Sequence, residues 1–335
     1  MSGYDALLVD LDGTVYKGPS AIEGAVESLE AARESATVSF VTNNASRGPD
    51  EVAGHLRELG LTLDTGDVVT SAQAGAAVLA QQCEAGARVL VVGTEALCEE
   101  IRLVGLEPVR ADEDGPVAVV QGHDPETGWA ILAEATLALH RGAVWVACNI
   151  DPTLPHARGL LPGNGSFVAA LRTATGREPQ VAGKPAAPLL QQAIERAGAR
   201  RPLIVGDRLD TDIAGAHAVE ADSLLVLTGV STPADVLVAV PEQRPVFLGH
   251  DLSVLGDGLE ATRVWDGDAA GWHARRDGRV LVLRAGDGAG DAAAALRALC
   301  RVAWDEPDGA GGRAEVRGAD DRAREMISTL GLDAG

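Results

Sequence analysis

A short apolar run that ends in two carboxylates constrains the fold of this chain more than any other feature. The apolar residues Ala6–Val9 are followed directly by the Asp-Leu-Asp-Gly-Thr sequence of residues 10–14. Four apolar residues before a polar turn predict a buried strand that stops at a polar rim. In a parallel α/β sheet, ligands bind beyond the carboxyl ends of the strands. The start of the chain therefore predicts such a sheet, with a ligand site beside Asp10 and Asp12.

The two carboxylates of this motif need a positive partner. Side chains two residues apart point the same way along an extended strand, so Asp10 and Asp12 are expected to lie close together. Like charges at that separation repel each other. A divalent cation such as Mg²⁺, which prefers oxygen ligands, is the simplest way to compensate them. An ordinary Asp-Gly surface turn is the alternative that this motif alone leaves open.

Three later segments supply groups that bind phosphate or metal. They are Thr42-Asn43-Asn44 after the strand-like run 38–41, Gly183-Lys184-Pro185, and the acidic segment 206–212 after the apolar run 203–205. Small polar side chains suit phosphate oxygens, and a lysine kept in an arginine-rich chain indicates a need for a compact charge. Taken singly, the three segments could also be a turn, a surface charge and a helix N-terminus.

These four motifs, in this order, resemble those of the haloacid dehalogenase superfamily of phosphatases. The resemblance covers roughly residues 4–255, and its Thr-Asn-Asn and Gly-Lys-Pro forms resemble subclass IIA, which has a large α/β cap. The C-terminal stretch is similar to a small acetyltransferase-like appendage found in glycerol phosphate phosphatases of actinobacteria. The resemblance implies Mg²⁺-dependent hydrolysis of small phosphomonoesters through an aspartyl-phosphate.

The resemblance also implies catalytic roles. Asp10 would attack phosphorus, because an ionised carboxylate needs no activation but does need its repulsion from phosphate cancelled. Asp12 would protonate the leaving oxygen and later activate water, which requires a pKa raised by burial and by the neighbouring acid. Lys184 would neutralise the nucleophile and the transferring group. An acid at position 12 favours phosphatases over transporting ATPases, which have Thr there, and over dehalogenases.

A metal site and a phosphate site follow from the same resemblance. One Mg²⁺ per chain, replaceable by Mn²⁺ or Co²⁺, would bind an Asp10 oxygen, the backbone carbonyl of Asp12, and Asp207. Asp212 would either bind this metal through water or anchor Lys184. The expected phosphate-binding residues are Thr42, Asn43, Asn44, Lys184 and His156. Of these, His156 lies in a cap loop and could equally be a solvated histidine.

Alternating strand-like and helix-like runs predict the architecture. The expected fold class is α/β, with a doubly wound, Rossmann-like parallel-sheet core, an inserted α/β cap and a small α+β C-terminal region. The predicted domains are a catalytic core at 1–70 plus 180–258, a substrate-selecting cap at 71–179, and an appendage at 259–335.

Within the C-terminal region, the sequence predicts two strands, one helix and a loop. The strands are expected at 263–265 and 279–283, the helix at Asp291–Trp304 with Asp291 as its cap, and the loop at Glu306–Gly318. Two roles are considered for this region. One is a structural or dimerising appendage, and the other is a degenerate acyl-CoA-binding module, which a Gly-rich turn at 286–290 before the helix would suit.

Charge and composition limit the partners. A formal net charge of −21 disfavours nucleic acid and anionic membranes as partners. No leader-like apolar segment is visible, so a cytoplasmic location is expected, and the four cysteines fall in no metal-binding spacing and are expected to be reduced packing residues. A homodimer is left open.

The substrate is expected to be a small phosphate ester. Aromatic residues make up only 3% of the chain, which favours a small aliphatic leaving group. Glycerol 3-phosphate is the first expectation, and phosphoglycolate, pyridoxal phosphate, nucleotides and sugar phosphates are the alternatives. A catalytically silent metabolite sensor that acts through the C-terminal region is the hypothesis of another class.

Overall fold

A computed structural model describes residues 3–156, 158–256, 258–265, 269–305 and 315–333. The chain divides into two compact units, of which the first is Met1–Val38 with Ala199–Gly335 and the second is Ser39–Gly198. None of the helices in the described ranges is long and apolar enough to cross a membrane.

The strands of the described residues are short. In chain order they are β1 Ala6–Val9, β2 Tyr16–Lys17, β3 Ser20–Ala21, β4 Thr37–Thr42, β5 Val68–Thr70, β6 Arg88–Val92, β7 Glu107–Val109, β8 Ala118–Gln121, β9 Val144–Ala147, β10 Thr153–His156, β11 Gly159–Pro162, β12 Gln180–Val181, β13 Pro202–Gly206, β14 Asp222–Val226, β15 Phe247–Gly249, β16 Trp272–Asp277, β17 Val280–Ala285 and β18 Glu315–Gly318.

The α-helices alternate with the strands over most of the chain. They are α1 Ala25–Ala32, α2 Pro49–Glu58, α3 Ser71–Ala80, α4 Glu95–Leu103, α5 Trp129–His140, α6 Asn164–Thr175, α7 Ala187–Ala197, α8 Ala214–Ala218, α9 Pro233–Leu237, α10 Ala292–Ala303 and α11 Asp321–Thr329. A π-helical turn, Leu209–Ile213, precedes α8.

The first unit contains a parallel sheet in which β15, β14, β13 and β1 pair in that order. All four residues of β1 are buried, as expected for a strand covered on both faces. Val9 is paired with Val205, so β1 and β13 end at the same edge of the sheet. The predicted parallel α/β class is confirmed.

The second unit contains a five-stranded parallel sheet with the order β12, β9, β8, β6 and β7. A core that includes Leu90, Val119 and Trp145 fills one of its faces and packs against α5 and α6. Strands β4 and β5 pair in parallel, and β10 and β11 form an antiparallel hairpin. The predicted domain boundaries at 71 and 179 stay a prediction.

The C-terminal region differs from the sequence prediction at two places. The predicted strand 263–265 is wrong, because only Arg263 forms a bridge, to Phe247. Of the predicted loop Glu306–Gly318, residues 306–314 lie outside the described residues, and the remainder forms β18, which pairs in parallel with β17. A strand with one buried apolar residue gives little signal in sequence, because its pairing with β17 stabilises it.

The C-terminal helix prediction is confirmed, including its cap. The Asp291 side chain accepts a hydrogen bond from the Ala294 N–H at 2.8 Å, at the start of α10. Helix α11 was not foreseen. Both helices pack on the three-stranded sheet formed by β16, β17 and β18.

The C-terminal region shares one hydrophobic core with the parallel sheet of the first unit. Leu225 and Leu248 belong to the same buried cluster as Leu283 and Leu296. Buried polar contacts join the two parts as well, since the Trp304 indole N–H donates to the Val236 carbonyl at 3.0 Å. This continuity favours the structural interpretation of the appendage, whose boundary at 259 stays a prediction.

We expect Trp304→Phe to lower the free energy of unfolding by about 2 kcal/mol, because it leaves a void and removes the bond to Val236. Chemical denaturation of the full chain measures this change. Trp129→Phe is the matched control, since Trp129 is 83% exposed and should change stability little. Equal effects of the two substitutions would contradict a shared core.

All four cysteines are free thiols, as predicted. Cys98, Cys148 and Cys300 are buried, and Cys83 is half-buried. Burial raises the pKa of Cys148 to about 12, so its thiol stays protonated and acts as a packing group.

Candidate active site

Asp10 and Asp207 lie side by side at the carboxyl ends of β1 and β13. Each aspartate directly follows a fully buried run of its strand, where the apolar sequence stops. The Asp10 backbone N–H continues the sheet by donating to the Val205 carbonyl at 2.8 Å. Two motifs almost 200 residues apart in sequence thus meet at one sheet edge, as the sequence predicts.

Asp212 completes a cluster of three carboxylates. It lies in the π-helical turn after Arg208, whose backbone N–H donates to Asp212 Oδ2 at 3.1 Å. One oxygen from each of Asp10, Asp207 and Asp212 lies within 4.8 Å of the other two. Three carboxylates this close repel one another unless a cation binds between them. An all-oxygen set of donors fits Mg²⁺.

Glycines hold Asp207 in place. The side chain is fully buried, and its Oδ2 accepts the Val230 N–H at 2.6 Å. Gly13 has φ +88°, and a Cβ there would come within 2.6 Å of Asp207 Oδ2. A Cβ on Gly229 would lie 2.7 Å from Asp207 Cβ and would overlap the carboxylate itself. The backbone therefore leaves only enough space for this aspartate in this orientation.

Gly206 has the same relation to Asp212, because a Cβ at position 206 would overlap the Asp212 carboxylate. Gly206 belongs to the Gly-Asp motif recognised in the sequence. Gly229 does not, and sequence reasoning missed it, since a single glycine after a strand gives no sign of the side chain it faces.

Asp12 is exposed, and this corrects one expectation. The sequence analysis relied partly on burial to raise the pKa of this group, but the residue faces solvent. The hydroxyl of Tyr16 lies 3.5 Å from Asp12 Oδ2. The expectation that burial helps to protonate this group is therefore wrong.

The backbone amides after Asp10 are mostly engaged in a turn. The N–H groups of Thr14 and Val15 donate to the Leu11 carbonyl, and that of Gly13 donates to Tyr16. These three N–H groups are thus used within the turn.

Asp210, in the acidic segment 206–212, pairs with Arg208. Asp210 forms two hydrogen bonds with the Arg208 guanidinium, at 3.0 and 2.8 Å. Burial acts to raise the pKa of Asp210, but these bonds and the arginine charge outweigh it and hold the pKa below its usual value. Asp210 is thus a structural partner of Arg208.

The Thr-Asn-Asn and Gly-Lys-Pro motifs meet within the second unit. The Asn43 side-chain oxygen accepts the Lys184 backbone N–H at 2.8 Å, and Asn43 Nδ2 donates to the Lys184 carbonyl at 3.0 Å. Lys184 is only 2% exposed, and its ammonium donates to the Val41 carbonyl at 3.1 Å. A Cβ on Gly183 would come 2.6 Å from Asn43 Oδ1, so this contact requires glycine.

The neighbours of Asn43 also form hydrogen bonds. Thr42 is buried at the end of β4, and its hydroxyl accepts the Asn44 N–H at 3.1 Å. The Asn44 side-chain oxygen accepts the N–H and the hydroxyl of Ser46 at 2.8 and 2.7 Å. That oxygen therefore stabilises the loop, which leaves the Asn44 NH₂ group for the predicted phosphate contact.

The cap residue His156 ends β10, where its backbone is paired with Gly159. The predicted role of its side chain lies outside what the structure describes and stays a prediction. The hairpin β10–β11 carries exposed apolar residues, with Leu160 71% exposed.

Comparison with known families gives three matches along the chain. Residues 7–107 match the family described as haloacid dehalogenase-like hydrolase, and residues 181–255 match a HAD-hydrolase-like family. Residues 269–332 match a GCN5-related N-acetyltransferase like domain.

Curated relatives are similar over most of the chain. D-glycerol 3-phosphate phosphatase of Mycobacterium tuberculosis is 52% identical over 312 residues, which cover 90% of this chain and 86% of the relative. Acid sugar phosphatase of Staphylococcus saprophyticus is 36% identical over 264 residues, covering 78% of this chain and all of the relative.

Solved structures are similar as well. Glycerol phosphate phosphatase from Mycobacterium tuberculosis in complex with magnesium superposes with a TM-score of 0.92 at 50% identity, covering 98% of this chain and 97% of the other. p-Nitrophenyl phosphatase from Archaeoglobus fulgidus has a TM-score of 0.69 at 31% identity, covering 74% of this chain and 97% of the other.

Proposed function

Because this chain belongs to the haloacid dehalogenase-like hydrolases and is a phosphoric monoester hydrolase, we propose that it hydrolyses glycerol 3-phosphate with Mg²⁺. The observation that carries the proposal is the cluster of Asp10, Asp207 and Asp212 at one sheet edge. The choice of substrate is supported by the 52% identity to D-glycerol 3-phosphate phosphatase. Sugar phosphates are the second candidate, supported by the 36% identity to acid sugar phosphatase.

Asp10 performs the nucleophilic step in this proposal. Its carboxylate oxygen attacks phosphorus, and the bond between phosphorus and the glycerol oxygen breaks to form an aspartyl-phosphate. Asp12 gives its proton to the leaving glycerol oxygen. Asp12 then takes a proton from the water that attacks phosphorus, phosphate leaves, and Asp10 is restored. The exposed position of Asp12 leaves its carboxyl group accessible to water.

Asp10, Asp207 and the backbone carbonyl of Asp12 would hold the Mg²⁺, with Asp212 binding through water or supporting the site. When bound, Mg²⁺ neutralises negative charge on the phosphoryl group. Mn²⁺ and Co²⁺, which also accept oxygen ligands, would replace it. The burial of Asp207 and its contacts with Gly13 and Gly229 orient the carboxylate before the metal arrives.

Lys184 binds phosphoryl oxygens in this proposal, as its Gly-Lys-Pro motif indicates. In a chain with a net charge of −21, a local cation is needed to attract an anionic substrate. Thr42, Asn43 and Asn44 would bind or orient the phosphate, and His156 would contact the leaving group. The cap at 71–179 would select that leaving group.

We also propose a cytoplasmic location, which four free thiols support, since disulfides persist mainly in oxidising compartments. The partner is the small phosphate ester itself. The net charge of −21 disfavours nucleic acid and anionic membranes as partners.

Phosphate release from a panel of phosphomonoesters tests the proposal. We expect glycerol 3-phosphate to give the highest kcat/KM, above sugar phosphates, phosphoglycolate, pyridoxal phosphate and nucleotides. Activity should disappear with EDTA and return when Mg²⁺ is added in excess. Faster turnover of a hexose phosphate would make sugar phosphates the proposed substrates instead. No phosphate release from any ester at saturating Mg²⁺ would overturn the proposed function.

A further inference from the structure

We propose that Asp151 and Asn149, in the loop after β9, are positioning residues that act on Lys184 through Asn43. The inference deepens the proposed function and rests on it only in taking Lys184 as the group that binds the phosphoryl oxygens. All four residues belong to the second unit.

The side-chain amide of Asn43 holds both backbone polar groups of Lys184. Its oxygen accepts the Lys184 N–H, and its NH₂ group donates to the Lys184 carbonyl, at 2.8 and 3.0 Å. Only a primary amide offers a donor and an acceptor in this arrangement. Any rotation of the Asn43 side chain would therefore break the contacts that fix the backbone of Lys184.

Asp151 prevents that rotation. The Asn43 NH₂ group has two hydrogens, and besides the Lys184 carbonyl it donates to Asp151 Oδ2 at 3.1 Å. An ionised carboxylate is only an acceptor, and hydrogen bonds to it are stronger than bonds between neutral groups. The same Asn43 nitrogen is thus held by the Asp151 carboxylate as well as by the Lys184 carbonyl.

Asn149 holds the backbone of Asn43. Its side-chain NH₂ donates to the Asn43 carbonyl at 2.7 Å, and the Ser71 hydroxyl donates to the same oxygen at 2.5 Å. The Asn149 side-chain oxygen accepts the Asp151 N–H at 3.2 Å, which links the two positioning residues. Asn149 is only 4% exposed, so these bonds are shielded from water.

The loop that carries both residues is itself fixed by the start of α6. Asn164 Nδ2 donates to the Asn149 carbonyl at 2.7 Å, and the Gly165 N–H donates to the Asp151 carbonyl at 2.9 Å. A Cβ on Gly165 would come within 2.6 Å of the Ile150 carbonyl carbon, so helix and loop are in direct backbone contact. A continuous series of hydrogen bonds therefore runs from α6 to Lys184.

A lysine needs such support because its four-carbon stem is flexible and its charge is a point charge without directional geometry. Small displacements of a group that contacts the reacting atoms can reduce the rate by about a hundredfold. We therefore expect Asp151→Ala to lower kcat by about tenfold with little change in KM, and Asp151→Asn, which keeps an acceptor, to recover most of the rate.

The experiment measures kcat and KM of the full chain with glycerol 3-phosphate and with p-nitrophenyl phosphate, whose leaving group has no free hydroxyl. Positioning of Lys184 predicts the same fold-loss with both substrates. A loss confined to glycerol 3-phosphate, with a raised KM, would mean that Asp151 contacts the glycerol hydroxyls and would overturn the inference. No loss with either substrate would overturn it too.

A double mutant tests the route through Asn43. If Asp151 acts only through Asn43, then Asp151→Ala should reduce kcat no further in an Asn43→Ala background. Additive losses would contradict that route. Asp114→Ala is the matched control, because Asp114 is an exposed acid of the same unit and should leave kcat unchanged.

Hydrogen exchange gives a readout that does not depend on turnover. The Lys184 backbone N–H should exchange about tenfold faster in Asp151→Ala, because its acceptor on Asn43 is no longer held. Unchanged exchange at Lys184 would overturn the inference. If the native chain hydrolysed neither ester, the proposed function would fail, and this measurement would still decide the structural claim.

Discussion

Asp10→Asn should lower phosphate release from glycerol 3-phosphate by about a thousandfold or more, since an amide cannot replace the attacking carboxylate. The substitution is nearly isosteric, and the Asp10 backbone bond to Val205 does not involve the side chain. Stability should therefore change little compared with the loss of activity. Removing one of three clustered negative charges should, if anything, relieve repulsion in the metal-free protein.

The measurement is single-turnover and steady-state phosphate release at saturating Mg²⁺, together with thermal unfolding. Asp287→Asn is the matched control, because Asp287 is an exposed acid of the same unit that is not part of the three-carboxylate cluster. Recovery of the rate at a higher Mg²⁺ concentration would mean that Asp10 acts only as a metal ligand. That outcome would remove the nucleophile from the proposed mechanism.

The meeting of Asp10 and Asp207 could be predicted from sequence for a simple physical reason. Both aspartates follow apolar runs that are long enough for a strand and too short for a helix. Parallel strands place their carboxyl ends at one edge, so residues far apart in the chain become neighbours. The residue types then indicated a metal, because a divalent cation is the simplest way to compensate clustered carboxylates. This step needed no knowledge of side-chain conformation.

The support of the site could not be predicted in the same way. Asn149 and Asp151 follow β9, and their bonds to Asn43 depend on a loop conformation fixed by α6. Hydrogen bonds between loops produce no periodic pattern in the sequence from which they could be predicted. Strand β18 was missed for a related reason, because its only buried apolar residue, Val316, is stabilised by pairing with β17.

Gly229→Ala should reduce kcat/KM at limiting Mg²⁺ by about a hundredfold, although glycine has no functional group, because the new methyl group would displace Asp207. A Cβ at this position would overlap the carboxylate, whose Oδ2 is also held by the Val230 N–H. Asp207 is fully buried and cannot swing into solvent without local rearrangement. The measurement is activity as a function of Mg²⁺ concentration, in which the half-saturating concentration should rise.

The control and the double mutant separate a metal-site effect from general destabilisation. Gly66→Ala adds a methyl group with no atom within 4 Å and should leave activity unchanged. In an Asp207→Gly background, Gly229→Ala should cost little further stability, because both the Cβ and the carboxylate that the methyl group would overlap are absent. Normal Mg²⁺ dependence of Gly229→Ala would show that Asp207 can bind metal from another position. The tight fit between a glycine and an aspartate would then be irrelevant to catalysis, and the orientation of Asp207 would have to come from the Val230 bond alone.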